Sequence, residues 1–254
     1  MCSGGLNDCI LTSLGPSDKL CNDRLVIAGQ RSFSTMSRGD PLSQYPSPTF
    51  LKTAPEKQQA VLDAAVAEFG TYGYHQASIN RLVNRLGIAK GSIFQYFGTK
   101  QGLFDYVFAQ AKGAVSQHLR FIREHTRDKD FFTRLRIVVQ SGLDFVRENP
   151  GFYRLYMHVL RDEHLPGRAG YLLEVRAASR AYLAGLVDQG LANTELDPDL
   201  SPEWSVVFID TLLDRFFQAM SAPDGDEASS MIPTGPDHEH VQTLIRFIRK
   251  GLGK

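Results

Sequence analysis

Cysteine is nearly missing from this chain of 254 residues: Cys2, Cys9 and Cys21 sit at one end and no later position holds another. A disulfide framework spreads its bridges through a fold, so this usage excludes one and suits a reducing, cytoplasmic setting. The three cysteines contain no Cys-x-x-Cys pair, which removes the usual signature of structural zinc. Long apolar runs are missing too. The longest mixed stretch, 204–220, is broken by Asp210, Asp214 and Arg215, well short of the roughly 18 uninterrupted apolar residues of a membrane span. No sustained period-two alternation and no internal repeat is visible, so neither a sheet protein nor a solenoid is expected. A basic leader followed by an apolar core, as in a secretory signal, is absent as well. There is no His-Glu-x-x-His, no nucleophile elbow and no phosphate loop, and the seven histidines are scattered. No catalytic residue, metal site or cofactor is therefore expected. Asp210 and Asp214 stand one helical turn apart, but neighbouring charges make a solvated stripe the better reading than an acid/base pair.

Net charge is absent overall, with 28 Lys/Arg against 28 Asp/Glu. Its distribution is not even. Residues 51–120 carry eight basic against four acidic side chains, whereas 121–254 carry sixteen against twenty. Within 78–104 stand Arg81, Arg85, Lys90 and Lys100 and no acid. A local positive patch is what phosphate contact requires, because fields are screened over roughly 8 Å at physiological salt. A solvated helix face would have the same composition, so charge alone decides nothing here.

What the chain does have is helix grammar. Residues 1–50 are rich in Ser, Gly, Pro and Asn without periodicity and read as a disordered extension. Arg24, Arg31 and Arg38 among serines faintly suggest a transit peptide, against which Asp8, Asp18 and Asp23 weigh. Met36 opens a more ordinary leader, and the natural start is expected there. From Pro55, Val61, Leu62, Ala65, Val66 and Phe69 form one stripe, with Gly70 and Gly73 expected to close the helix. Ser78 caps a short helix bearing Ile79, Leu82, Val83 and Leu86. Gly87 breaks it, and Ile88, Ile93, Phe94 and Phe97 define another. Thr99 caps a helix running to about residue 118. Further helices are expected at 131–148, 150–162, 168–190, 204–221 and 241–252, with Asn149 and Ser201 as caps and an acidic loop at 222–237.

Two short helices joined at a glycine, with a third before them, are the parts of a helix-turn-helix. In such a unit the first short helix, here 78–86, braces the second, here 89–95, whose outer residues enter the major groove. Lys90, Ser92, Gln95 and Tyr96 would face outward, and Gly91 would let the backbone approach closely.

The run Val61-Leu62-Asp63-Ala64-Ala65, then Phe69, Gly73-Tyr74, Ser78, Gly87 through Phe97 and Thr99-Lys100, resembles the signature of the tetracycline-repressor (TetR) family. The likeness covers about sixty residues of this chain. It implies an all-α protein: an N-terminal three-helix DNA-binding domain at 55–115, with its motif at 78–97, and a C-terminal helical ligand-binding and dimerisation domain at 120–254. It implies a homodimeric transcription regulator, most simply a repressor, on a pseudo-palindromic DNA operator, released by a small apolar or aromatic effector, with no membrane partner. Ser78, Lys90, Tyr96 and Lys100 match phosphate-contacting positions of the family. Ser92 and Gln95 are base-reading candidates, since Gln suits a bidentate contact with adenine. Phe94 stands where the family commonly has Tyr, and Gln95 where it commonly has His, so operators of other members do not transfer. For Phe94 a core position and contact with a thymine methyl are both open, as is a plain surface role for Tyr96.

Beyond residue 120 the resemblance implies an effector pocket, for which Phe145, Tyr153, Tyr156, His158, Arg176, Trp204, Phe208 and Asp210 are candidates. An ordinary helical core would use most of the same aromatics. The stretch 204–220 is apolar over more than half its circumference, which implies burial on two sides. Leu212, Phe216, Leu244, Phe247 and Ile248 are the candidates for a subunit interface.

Overall fold

The computed structural model describes residues 46–222 and 233–254. The expected start at Met36 and most of the acidic loop lie outside them. Among the described residues there are ten helices and no strand. They are α1 (Pro48–Leu51), α2 (Pro55–Gln76), α3 (Ile79–Leu86), α4 (Lys90–Phe97), α5 (Lys100–His125), α6 (Phe131–Glu148), α7 (Pro150–Arg161), α8 (Arg168–Ala192), α9 (Pro202–Met220) and α10 (Asp237–Leu252). Among the described residues the one β feature is an isolated bridge between Leu196 and Gly253. None of these helices is long and apolar enough to cross a membrane.

Capping explains most boundaries. Ser78, Thr99, Asp130 and Ser201 each accept a backbone N–H of the first turn that follows them, satisfying donors a helix leaves orphaned. Asn149 does not cap as expected; its side-chain amide donates back to the Phe145 carbonyl at 2.9 Å. Pro150 needs no such help, having no N–H to satisfy. Gly70 does not end α2. It is buried mid-helix, and the kink falls at Gly73, where φ is 67° and ψ 178°, a conformation that glycine adopts without strain. α5 runs to His125, through the expected boundary between the two domains at 115–120.

Two hydrophobic clusters form. One gathers α1–α5 around Leu62, Phe69, Leu82, Ile93, Phe97 and Phe104, and it also takes in Leu155, Val159 and Leu165 from α7 and the turn after it. The other joins α6, α8, α9 and α10 through Leu135, Val139, Leu186, Ile209, Leu213 and Ile245. The three-helix module thus shares its core with α7.

The expectation of disorder through residue 50 is wrong at its last positions. Ser47 caps α1, its backbone N–H donates to the Tyr96 carbonyl at 2.8 Å, and Phe50 is fully buried. The Phe50 ring lies 5.2 Å from Tyr96, 4.8 Å from Phe97 and 5.4 Å from Tyr106. One aromatic in a polar, proline-rich context has no period to betray it.

Candidate nucleic-acid interface

The presented surface begins with the turn between α3 and α4. Gly87 takes the left-handed conformation (φ 64°, ψ 31°), and the Ile88 N–H closes back on the Val83 carbonyl at 3.2 Å. This reverses the chain in few residues and sets α4 across α3. Leu82, Val83, Ile93 and Phe97 are buried between the helices. Lys90, Gly91, Phe94 and Gln95 are exposed, and Ser92 is half-buried. A helix so short has two faces only, so burying 93, 96 and 97 turns 90, 91, 94 and 95 outward. Phe94 is 40% exposed and lies under the Lys90 ammonium at 6.0 Å, which favours the outward reading of that ring over a core position.

Tyr96 is a correction. It was expected to face outward, yet only 6% of it is accessible. It sits three residues after Ile93 and beside Phe97, on the inward side, and α1 covers it through Phe50. Lys57 lies 5.5 Å above its ring.

Ser78 combines two roles. Its hydroxyl oxygen accepts from the Arg81 N–H at 3.4 Å, and its own N–H donates to Glu68 Oε1 at 2.7 Å, leaving the hydroxyl proton to donate outward at the start of α3. Lys100 is partly committed. Its ammonium donates to the His75 carbonyl at 3.1 Å and lies 4.9 Å over the Tyr74 ring. Partial burial pulls its pKa below the ordinary lysine value, with nearby Arg81 acting the same way and Glu68 opposing. Two of its three protons are left for another acceptor.

A residue that the sequence reading passed over holds this surface together. Glu68 is buried in α2, and its Oε1 also accepts from Arg81 Nε at 2.9 Å and Nη2 at 2.6 Å. Arg81 further donates to the Gln76 carbonyl at 2.8 Å and stacks on Tyr72. Arg81 is therefore a brace between α2 and α3. The signal was available: Glu68 lies three positions after Ala65 and one before Phe69, inside the apolar stripe.

The effector-pocket candidates do not gather around one cavity. Trp204 and Phe208 are 60% and 56% exposed and stack on each other at 5.5 Å; they follow one another at i, i+4 on the side of α9 that faces away from the core. Asp210 accepts from Ser179 Oγ at 2.6 Å and pairs with Arg180 at 3.3 Å. Tyr156 donates to Asp214 at 3.0 Å and Tyr153 to the Phe217 carbonyl at 3.4 Å, tying α7 to α9. Burial first, and then Asp214, push the Tyr156 hydroxyl well above its ordinary pKa. His158 Nε2 is 3.2 Å from the Gly70 carbonyl, so it belongs to the α2–α7 crossing and not to a pocket. Arg176 is exposed, and Phe145 lies beside His118 at 5.2 Å.

Of the interface candidates, Ile248 is 2% exposed and belongs to the chain's own core, because it continues the inward series of 241 and 245. Leu212, Phe216 and Leu244 pack partly against that core, whereas Phe247 is 66% exposed.

Comparison with known proteins agrees with this geometry. Residues 61–107 match the model of the bacterial regulatory proteins of the tetR family. The HTH-type transcriptional regulator BetI of Pectobacterium carotovorum is 29% identical over 107 residues, 41% of this chain and 53% of that protein. The nucleoid occlusion factor SlmA of Glaesserella parasuis is 24% identical over 127 residues, 48% of this chain and 62% of that protein. The chain thus matches only about half to three-fifths of the length of these curated relatives. A TetR family transcriptional regulator from Chloroflexus aurantiacus superposes with a TM-score of 0.61 at 25% identity, over 83% of this chain and 99% of that one. The regulator FadR of Bacillus subtilis, solved with stearoyl-CoA, gives 0.61 at 17% identity over 75% and 97%. Its helix-turn-helix thus has the order and spacing of the tetR family over residues 61–107, and the helical body behind it is similar to that of the Chloroflexus TetR-family regulator.

Proposed function

We propose that the protein is a DNA-binding transcription regulator of the cytoplasm that acts as a homodimer and, as a repressor, leaves its operator when a small apolar or aromatic effector binds. The observation that carries this reading is the outward face of α4. Lys90, Gly91, Phe94 and Gln95 are exposed there together, in a stretch without an acidic side chain, on a helix braced by α3. In this reading Lys90, Lys100 and the Ser78 hydroxyl contact phosphates. Ser92, Phe94 and Gln95 meet base edges, with Gln95 suited to adenine and Phe94 to a thymine methyl.

The division of labour follows the chain: 55–115 binds DNA and the helices beyond 120 hold the effector and the partner subunit. Trp204 and Phe208 on α9 and Phe247 on α10 supply the exposed aromatic surface a subunit interface uses. Two copies would set their recognition helices one turn of DNA apart, about 34–36 Å, and read a pseudo-palindrome. An effector that favours a state with another separation releases the DNA by shifting populations. The stearoyl-CoA of the FadR structure belongs to that protein, and likeness at 17% identity carries the fold and not the ligand.

Selection of bound duplexes from a random pool tests the reading. The expected outcome is a pseudo-palindrome whose affinity falls steeply with salt. Lys90→Ala should weaken binding to all sequences and shallow the salt slope by about 1, whereas Gln95→Ala should cost about 1–3 kcal/mol of discrimination at one base position. A flat salt response would overturn DNA binding, and uniform effects of both variants would overturn the division between positioning and reading.

A further inference from the structure

A second charged site lies away from the DNA face. The end of α5 and the turn after it, the first turn of α6 and the last third of α8 enclose a cleft of about 250 Å³ lined by Arg123, Arg127, Arg134, Tyr182, Leu186 and Gln189, with no acidic residue in its wall. Arg134 is only 4% exposed, since it follows Phe131 and precedes Leu135 on the inward side of α6. A guanidinium does not shed its proton in a protein, so this charge is permanent. Every other buried charge in the described chain can be compared with Glu68, which has Arg81 for a counter-ion. Arg134 has none: one Nη donates to Gln189 Oε1, and its buried Nε has no partner. The Tyr182 hydroxyl is also buried, beside the Arg134 guanidinium, and forms no hydrogen bond of good geometry there. Burial raises the pKa of that hydroxyl, and the neighbouring Arg134 and Arg123 pull it back. Arg123 and Arg127 stand exposed at the mouth, and neither forms an ion pair among the described residues.

A buried cation without a counter-ion is costly, and here that cation forms part of the wall of an open cleft. The counter-ion is therefore sought outside the chain. We propose that this cleft is a binding site for a phosphoryl oxyanion, the phosphate or diphosphate group of a small metabolite. Three guanidiniums and a phenol can surround the several oxygens of such a group, and arginine forks match phosphate geometry bidentately. The volume suits a charged head group and not a whole drug-sized ligand, whose sites run to roughly 300–1,000 Å³. A carboxylate carries one charge for three cations and is the poorer match. The second cleft lined by arginines, at Arg136, Arg246 and Arg249, contains no buried unpartnered group, and Arg249 faces Asp130.

The inference does not rest on the DNA-binding reading, and its test needs no DNA. Calorimetric titration of the full chain with pyrophosphate, orthophosphate and acetate at constant ionic strength should show saturable binding of pyrophosphate, weaker binding of orthophosphate and weakest of acetate. Arg123→Ala with Arg127→Ala changes only exposed side chains. It should leave the melting temperature of the unliganded protein unchanged and cost roughly ten- to a hundredfold in pyrophosphate affinity for each arginine that bonds the anion. Arg134→Met should abolish binding while the unliganded protein melts no lower than the wild type, because an unpaired buried charge is removed. Lys90→Ala should leave pyrophosphate affinity unchanged. No saturable binding, binding that survives the arginine variants, or acetate bound as tightly as pyrophosphate would each overturn the proposal.

Discussion

At the scale of single residues, buried polar groups govern this molecule more than its surface charges do. His118 is an example. Its ring packs beside Phe145, its Nε2 is buried without a partner, and burial lowers its pKa from the ordinary 6.5, with the Ser141 backbone, Glu148 and Asp144 opposing. The unfolded imidazole takes up its proton near pH 6.5 and the folded one only at lower pH. Between the two, the unfolded state binds more protons. The stability contributed by the neutral ring is thus complete above pH 6.5 and drains away as pH falls toward the folded value. The melting temperature should drop between pH 7 and pH 5, and His118→Leu should flatten that drop; an unchanged slope would show that other groups cause it. Glu68 and Arg134 teach a related lesson. Each is a charge at an apolar register of its helix, visible in the sequence as an interruption of the stripe. What the stripe cannot tell is whether the interruption is answered from within, as Arg81 answers Glu68, or left open, as at Arg134.

At the scale of elements, the joint between α2 and α7 connects the helix-turn-helix module to the body. Two glycines let these helices approach: a Cβ on Gly151 would lie 2.5 Å from Val66 Cγ1, and one on Gly70 would lie 3.1 Å from the Gly151 carbonyl. His158 fills the adjoining space at Gly73, and His75 pairs with Asp162 at 3.4 Å. Val66 is branched at Cβ and cannot swing aside without moving its backbone. Gly151→Ala should therefore force the helices apart at a cost of about 1–3 kcal/mol, read as a lower urea midpoint with an unchanged slope. The helices themselves were legible from periodicity and caps, most to within two or three residues. The joint was not. Pro150-Gly151 reads locally as a helix start, and nothing near it in sequence says that α2, eighty residues earlier, lies against it.

At the scale of the whole molecule, the aromatics left in solvent are the clearest statement about assembly. Substituting Trp204→Glu and Phe247→Glu together places charge on both exposed surfaces and should convert a dimer to monomers in sedimentation equilibrium, with helicity retained. Ile248→Glu would instead unfold the chain, since Ile248 is part of its own core. A dimer that persists in the double variant would move the interface elsewhere. The over-wide apolar arc of 204–220 made a second contact surface legible, whereas the expectation that Ile248 of the last helix joins that surface fails, because Ile248 is buried in the chain's own core. Periodicity tells how much of a helix is apolar, whereas its rotation about the axis is decided by the helices it packs against.

The sequence by itself determined the helical class, the helix-turn-helix and its two departures at Phe94 and Gln95. Those depend on local spacing, turn glycines and caps, which act over a few residues. Tertiary structure decided the burial of Tyr96 under Phe50, the bracing of the motif by Glu68 and Arg81, the sharing of one core between the module and α7, and the gathering of three arginines from α5, α6 and the turn between them against α8. Each of these depends on groups far apart in the chain, brought together by the burial of apolar faces. Which polar groups meet, and which are left without a partner, is settled only when those faces close.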